Sequence, residues 1–207
     1  MKKIQKINML IIIAMIVLNT ICLGLTIFGK YNSNILVCLS LYVIVFLPKI
    51  IRKVFKIRIA NSIELIFLLF IFLAQLLGSV MHFYGLIYWY DSFTHFISGA
   101  LTAFLALFLL ILFKKYDDKE LGFNVLYMIA ITLMVAAFWE MFEFTADSLL
   151  GGDAQRVIAT GVTDTMKDMI CALLGSILIS IEYIYEQTSK SKLIINKFLD
   201  NIKKEQV

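Results

Sequence analysis

The chain has 207 residues, of which 61% are hydrophobic and 16% are charged, and its formal net charge is +4. Soluble domains average about 45–50% apolar and about 25% charged residues, so this composition excludes an ordinary soluble domain. The basic residues lie in short segments between hydrophobic runs, which excludes a nucleic-acid-binding patch and predicts no nucleic-acid partner. The pattern predicts an all-α, polytopic integral membrane protein.

The hydrophobic runs predict six transmembrane helices, because a helix needs about 20 apolar residues to cross the hydrocarbon core. The first run is too long for a signal-peptide core, and no small-residue cleavage site follows it, so we expect it to be retained. We therefore predict a six-helix transmembrane domain over residues 1–185. The predicted spans are residues 7–28, 34–51, 60–82, 93–113, 122–144 and 165–185.

The last segment, residues 186–207, mixes lysines with apolar residues such as Leu193, Phe198 and Ile202. This mixture predicts an amphipathic cytoplasmic tail that lies on the anionic inner leaflet. Membrane lipids are accordingly the expected partners. A second copy of the chain, in a homo-oligomer, is the other candidate partner.

The distribution of lysine and arginine orients the spans. If alternate segments are placed on one side, that side holds 16 of the 19 basic residues. The opposite side holds only Lys30, Arg156 and Lys167. Since cytoplasmic loops are the ones enriched in lysine and arginine, both termini are predicted to be cytoplasmic. The expected location is the plasma membrane of a bacterial cell.

Three pairs of ionisable residues lie at the ends of the last three spans. Residues three or four apart share one face of a helix, so each pair is aligned on its own helix. In the predicted orientation all three pairs fall at the extracytoplasmic end, where ionisable groups near a span mark a candidate functional site. The pairs are Asp91 with His95, Glu140 with Glu143, and Asp164 with Asp168.

Five carboxylates and one imidazole are a suitable ligand set for a divalent metal ion such as Mg²⁺, Mn²⁺, Ca²⁺ or Zn²⁺. A bound metal would polarise a phosphoryl or carbonyl group and activate water. His95, Glu140 and Glu143 are the candidate catalytic groups, with His95 as a ligand or general base because its pKa is ordinarily near neutrality. The predicted metal ligands are Asp91, His95, Glu140, Asp164 and Asp168.

Other hypotheses stay open beside the metal site. The acids could relay protons or cations in a transporter, or could simply be solvated helix ends. A transport path needs polar groups through the whole bilayer, but the inner halves of the last three spans offer only Thr132, Ser180, Glu182 and a few tyrosines. The sequence therefore favours an envelope-lipid hydrolase or transferase over a transporter or a structural accessory protein, and predicts no proton-coupled flux.

The third predicted span adds a polar stripe of Gln75, Ser79 and His82 at helical spacing. Two roles are open for this stripe. It could support the acidic site from behind, or it could form hydrogen bonds between helices.

The order Asp-x3-His-x3-Gly, Trp-Glu-x2-Glu and Asp-Thr-x2-Asp resembles the YjdF-type family of uncharacterised bacterial inner-membrane proteins, and more distantly the VanZ-like membrane proteins. The VanZ-like group is associated with low-level teicoplanin resistance. The chain departs from the VanZ-like pattern at Glu143, Asp168 and Cys171, where that group tends to have Gln, Asn and Gly. The resemblance implies a membrane protein with its site at these residues: Asp91, His95, Gly99, Trp139, Glu140, Glu143, Asp164, Thr165, Asp168 and Gly175.

Overall fold

The computed structural model describes residues 2–57 and 59–206. Over that part of the chain the regular structure is helical and includes no β-strand, which confirms the all-α prediction. The helices are α1 (Lys2–Ile27), α2 (Ile35–Ile44), α3 (Leu47–Phe55), α4 (Asn61–Ile71, continued as a π-helix over Phe72–Val80), α5 (Phe83–Leu86), α6 (Tyr90–Leu112), α7 (Leu121–Leu150), α8 (Val157–Thr160), α9 (Thr163–Ser189) and α10 (Ile195–Gln206).

Five of the described helices are long and apolar enough to cross a membrane: α1, α4 with its π-helical continuation, α6, α7 and α9. The predicted second span, residues 34–51, is instead the pair α2 and α3, whose axes are bent by 49°. Pro48 explains the break, because proline lacks the backbone N–H that would bond to the carbonyl of Ile44, four residues earlier, where α2 ends. The six predicted spans are recovered if this bent pair counts as one.

The chain divides into two compact units, one formed by Met1–Asp91 with Lys204–Val207 and the other by Ser92–Lys203. In the first unit, buried side chains of α1, α2 and α4 make a common apolar core. Gln75, in the π-helical segment, donates hydrogen bonds to Ser40 Oγ at 3.0 Å and to the Val37 carbonyl at 3.4 Å. The described bonds of Gln75 therefore tie helices together. The core residues include Ile12, Met15, Leu41, Leu68 and Leu76.

In the second unit, α7 and α9 pack antiparallel along their length. Asn124, near the start of α7, donates a hydrogen bond of 2.8 Å to the hydroxyl of Tyr183, near the end of α9. The opposite ends are joined through Gln155, whose side-chain amide reaches both Glu140 and Thr165. This arrangement places the end of α7 beside the start of α9.

Helix α6 runs parallel to α9 in the same unit. His95, in the first turns of α6, lies beside Asp168 in the first turns of α9. Beyond the other end of α6, Tyr116 lies within 3.4 Å of the Tyr183 hydroxyl. The starts of α6 and α9 and the end of α7 therefore lie together, which is the arrangement that the three ionisable pairs require.

Helix α9 is apolar outside and polar inside, the reverse of a helix in a soluble protein. Its buried face carries Asp164, Asp168, Ser176 and Ser180. Large apolar side chains on its other face are half-exposed, which suits contact with lipid and would be costly in water. These exposed residues are Met166, Ile170, Leu174, Leu178 and Ile181.

The apolar side of the C-terminal tail packs against the protein, whereas the sequence predicted that it lies on a lipid surface. Helix α9 runs on to Ser189, beyond the predicted boundary at residue 185, and α10 then packs against the protein. The ring of Phe198 meets that of Phe104 in α6 edge-on, with centroids 4.9 Å apart. The tail is amphipathic, but its apolar face is buried in the fold. The buried residues are Ile195, Phe198, Leu199 and Ile202.

Candidate functional site

The structure brings three of the predicted residues together at the start of α6 and α9. The boundary between the two units falls within α6, so one continuous helix carries both Asp91 and His95. Each of Asp91, His95 and Asp168 offers a ligand atom within 4.8 Å of the other two. The Nε2 atom of His95 lies 3.8 Å from Oδ2 of Asp168. Asp168 is buried, whereas Asp91 and His95 are partly accessible, so the cluster has an open side.

Two glycines explain why α6 and α9 approach closely enough for this cluster to form. A methyl group added at Gly99 would overlap the carbonyl oxygen of Ala172, and one added at Gly175 would overlap that of Phe96. The helices are therefore in backbone contact at these positions. His95 and Asp168 each lie one turn before Gly99 and Ala172, so the close contact sets their separation.

Asp164 lies outside the three-residue cluster and has two basic partners. Its carboxylate is buried at 4% exposure. Lys167 Nζ lies 3.0 Å from one carboxylate oxygen, and Arg156 Nε lies 3.9 Å from the other. Both basic side chains are partly exposed. The spacing of Lys167 three residues after Asp164 could have indicated this pair, but nothing in the sequence indicated Arg156.

Glu140 is buried and is held by Gln155, a residue that sequence reasoning missed. The Gln155 amide donates to the Glu140 carboxylate at 3.2 Å and to its backbone carbonyl at 3.1 Å. The same nitrogen lies 3.3 Å from the hydroxyl of Thr165 on α9. Gln155 therefore joins the end of α7 to the start of α9 beside the cluster.

The loop that carries Gln155 is anchored by Asp147, which sequence reasoning also missed. The Asp147 carboxylate accepts backbone hydrogen bonds from Ala154 at 2.8 Å and from Gln155 at 3.1 Å. Gly151, with φ of 71°, ends α7 and turns the chain back towards these contacts. Asp147 lies in the last turn of α7, four residues after Glu143, and this helical spacing could have indicated it. Gln155 lies in the loop, where no periodic pattern offers such a signal.

Glu143 is partly buried and lies outside the three-residue cluster. Its carboxylate accepts a hydrogen bond of 2.9 Å from the indole N–H of Trp139, one turn earlier on the same helix. Trp139 is about half exposed, so this pair lies at the surface of α7. Among the described residues, the structure groups Asp91, His95 and Asp168 within ligand distance and does not bring Glu140, Glu143 or Asp164 into that group.

The comparisons with known proteins agree with the membrane architecture. Residues 8–188 match a family described as "Predicted membrane protein (DUF2238)". An uncharacterised protein of Thermotoga maritima is 28% identical over 131 residues, which are 63% of this chain and 66% of that protein, just under two thirds of its length. No solved structure matches the chain. Because the match covers most of the sequence, the chain belongs to this family of predicted membrane proteins.

Proposed function

We propose that Asp91, His95 and Asp168 bind one divalent metal ion, and that the protein uses it to process an envelope lipid or a similar amphiphile in the bacterial plasma membrane. The observation that carries this proposal is the convergence of the three ligand atoms within 4.8 Å. Donor atoms around one ion lie roughly 3–4 Å apart when each bond is about 2.0–2.2 Å long. Small side-chain rotations would therefore bring these residues to bonding distance.

The donor set narrows the choice of metal. Carboxylate oxygens suit Mg²⁺, Ca²⁺ and Mn²⁺, whereas imidazole suits Zn²⁺ and the later transition metals. Two carboxylates with one imidazole favour Zn²⁺ or Mn²⁺ over the other two predicted ions. Three protein ligands would leave positions for water or substrate, as catalytic sites require.

The surrounding residues support a substrate with an anionic headgroup. When bound, the ion would supply Lewis-acid polarisation of a phosphoryl or carbonyl group. The partly exposed basic groups of Arg156 and Lys167 lie beside Asp164, one turn from Asp168, and would attract a phosphate. Glu140, fixed by Gln155, is the candidate for positioning water.

The proposed location of the site in the membrane rests on the basic residues of the loops and on the exposed apolar face of α9. The excess of basic residues in the loops on one side supports cytoplasmic termini and an extracytoplasmic site. The half-exposed apolar face of α9 would let an amphiphile reach the site from the lipid phase. The motifs that resemble those of the YjdF-type proteins include the residues of the proposed site. We also propose that the chain can associate with a second copy of itself.

The proposal is tested in cells that carry either wild-type protein or the Asp168→Asn variant, with their envelope lipids compared by mass spectrometry. The variant should accumulate a lipid or amphiphile that wild-type cells convert, because the buried ligand is lost. Asp118→Asn, which changes an exposed carboxylate at the other end of the unit, is the matched control. Identical lipid profiles for wild type and Asp168→Asn would contradict the proposal.

A proton- or cation-coupled transporter is the second candidate function. One observation favours it: two polar residues of the inner halves lie buried on α7 and α9, which pack against each other. Thr132 and Ser180, which the sequence presents as isolated, are both buried there.

A further inference from the structure

A line of buried polar side chains continues from the candidate site along the α7–α9 interface. Four of them, each at most 3% exposed, are Asn124 and Thr132 on α7 with Ser176 and Ser180 on α9. Within the described part of the chain, the three hydroxyl oxygens and the Asn124 Oδ1 atom have no hydrogen-bond partner. We call these four residues the polar seam.

Hydroxyls elsewhere in the long helices form hydrogen bonds within their own helix. Thr102 in α6 is similarly buried, and its hydroxyl donates to the Ser98 carbonyl at 2.8 Å. The seam hydroxyls do not make this local bond, although a buried polar group in hydrocarbon needs a partner. Ordered water is the usual partner of such groups in protein interiors. Further hydroxyls bonded to the carbonyl four residues earlier are Thr20, Thr26, Thr145 and Ser148.

The spacing of the seam suits bridging water. Thr132 lies eight residues after Asn124, and Ser176 lies seven before Tyr183, so both are about 10–12 Å from the Asn124–Tyr183 bond. They therefore occupy the same level of the antiparallel pair. Ser176 and Ser180 are about 6 Å apart along the helix axis, and one water that bonds to two oxygens spans about 5.5 Å.

One end of the seam leads to the candidate site. Asp168 precedes Ser176 by two turns, about 12 Å along α9. The intervening level is occupied by Ala172 on α9 and Ala136 on α7, so no large side chain from these two positions blocks the path. A short chain of water molecules, bonded to one another, would cover that distance.

The other end of the seam leads to solvent. The Tyr183 hydroxyl accepts a hydrogen bond from Asn124 and lies 3.4 Å from the hydroxyl of Tyr116. Burial, reinforced by the bond to Tyr183, raises the pKa of Tyr116 well above its ordinary value, so this phenol stays neutral and can both donate and accept. Tyr116 also lines an open cavity of about 370 Å³. The other lining residues are Ile111, Lys114, Asp117, Asp118 and Lys203.

We propose that the polar seam binds a file of water molecules that conducts protons between the cavity at Tyr116 and the Asp168–His95 end of the unit. The hydroxyls of Thr132, Ser176 and Ser180 and the amide of Asn124 are the fixed hydrogen-bonding groups of this file. The path requires no metal, so it stands independently of the proposed function. It revises the expectation that the inner halves of the spans cannot support proton movement.

The test is proton flux through purified wild-type protein in lipid vesicles that enclose a pH-sensitive dye. After an external pH step, the wild type should equilibrate protons faster than protein-free vesicles. The Thr132→Val/Ser176→Ala variant should lose that excess flux and fall to the level of protein-free vesicles. Thr102→Val is the matched control, because its hydroxyl is already bonded within α6, and it should keep the wild-type rate.

Tyr116→Phe provides a second variant in case the seam variant does not fold, as judged by its circular dichroism and thermal unfolding. Removing the phenol hydroxyl should also slow the flux, since this hydroxyl is the last group of the path before the open cavity. Wild-type flux no faster than that of protein-free vesicles would overturn the proposal. So would an equal loss in Thr102→Val, or wild-type flux in Tyr116→Phe. Metal content, measured on the same samples, should be unchanged in all three variants, which separates this test from that of the metal site.

Discussion

At the scale of single residues, the sequence predicted the ionisable members of the cluster but only part of their arrangement. Asp91, His95 and Asp168 could be found because ionisable groups are rare within apolar spans and because four-residue spacing aligns Asp91 with His95, and Asp164 with Asp168, on their helices. Gln155 could not be found, since its role depends on a loop whose path brings it back to Glu140. The partners of Asp164 likewise depend on how the chain returns to α9.

Gly99 gives a prediction at this scale. Gly99→Ala should lower the free energy of unfolding by about 1–3 kcal/mol, because the new methyl group would overlap the backbone of α9. It should also weaken metal binding, since separating the helices moves His95 away from Asp168. Thermal unfolding in detergent and metal titration would measure the two effects.

Gly122 is the matched control, because a side chain there would meet no atom within 4 Å. Gly122→Ala should be neutral or stabilising by up to about 1 kcal/mol, as expected for alanine in a helix. If Gly99→Ala proved as stable as Gly122→Ala, the close backbone contact between α6 and α9 would be disproved.

At the scale of helices, the sequence located the long helices well and the docking of the last helix poorly. Pro48 is the only proline in the sequence, yet the apolar run around it was predicted to form one continuous span. The tail was predicted to be amphipathic, but an apolar face has the same pattern whether it covers lipid or protein. What decides the matter is Glu186, which is fully buried and accepts backbone hydrogen bonds at the start of α10.

Glu186 gives the prediction at this scale. Its carboxylate accepts N–H groups of Leu193, Ile195 and Asn196 at 2.7–3.2 Å. Glu186→Ala should release α10, because each buried N–H group left without an acceptor costs about 1–3 kcal/mol. Limited trypsin cleavage in the segment of Lys190 and Lys192 should become several-fold faster. Asp200→Ala, which removes an exposed ion pair with Lys192, should cleave at the wild-type rate. Equal rates for Glu186→Ala and wild type would refute the docking.

At the scale of the whole molecule, hydropathy predicted the spans that the structure shows, whereas the orientation inferred from the basic residues stays a prediction. They could not predict which helices are neighbours, because lipid-facing and protein-facing sides of a span are both largely apolar. The inward polar face of α9 is visible in the sequence only once its partner α7 is known. This is why Thr132 and Ser180 looked isolated before the structure showed both to be buried on neighbouring helices.

Orientation is tested by labelling introduced cysteines with an impermeant thiol reagent in intact cells, after replacement of Cys22, Cys38 and Cys171. Asp153→Cys, in the loop between α7 and α9, should react, because the segments on that side hold few basic residues. Asp118→Cys, between α6 and α7, should react only after the membrane is permeabilised. The reverse pattern would place the candidate site at the cytoplasmic face.

The metal site proposed at Asp91, His95 and Asp168 is tested by the metal content and the Zn²⁺ or Mn²⁺ affinity of purified protein, measured by elemental analysis and titration. We predict one ion per chain in the wild type, and an affinity at least about tenfold weaker in Asp91→Asn and in Asp168→Asn, since even indirect partners of a metal change affinity by about 10–100-fold. Asp164→Asn should retain the ion, because Asp164 pairs with Lys167 and Arg156. Equal metal content and affinity in wild type, Asp91→Asn and Asp168→Asn would contradict the account.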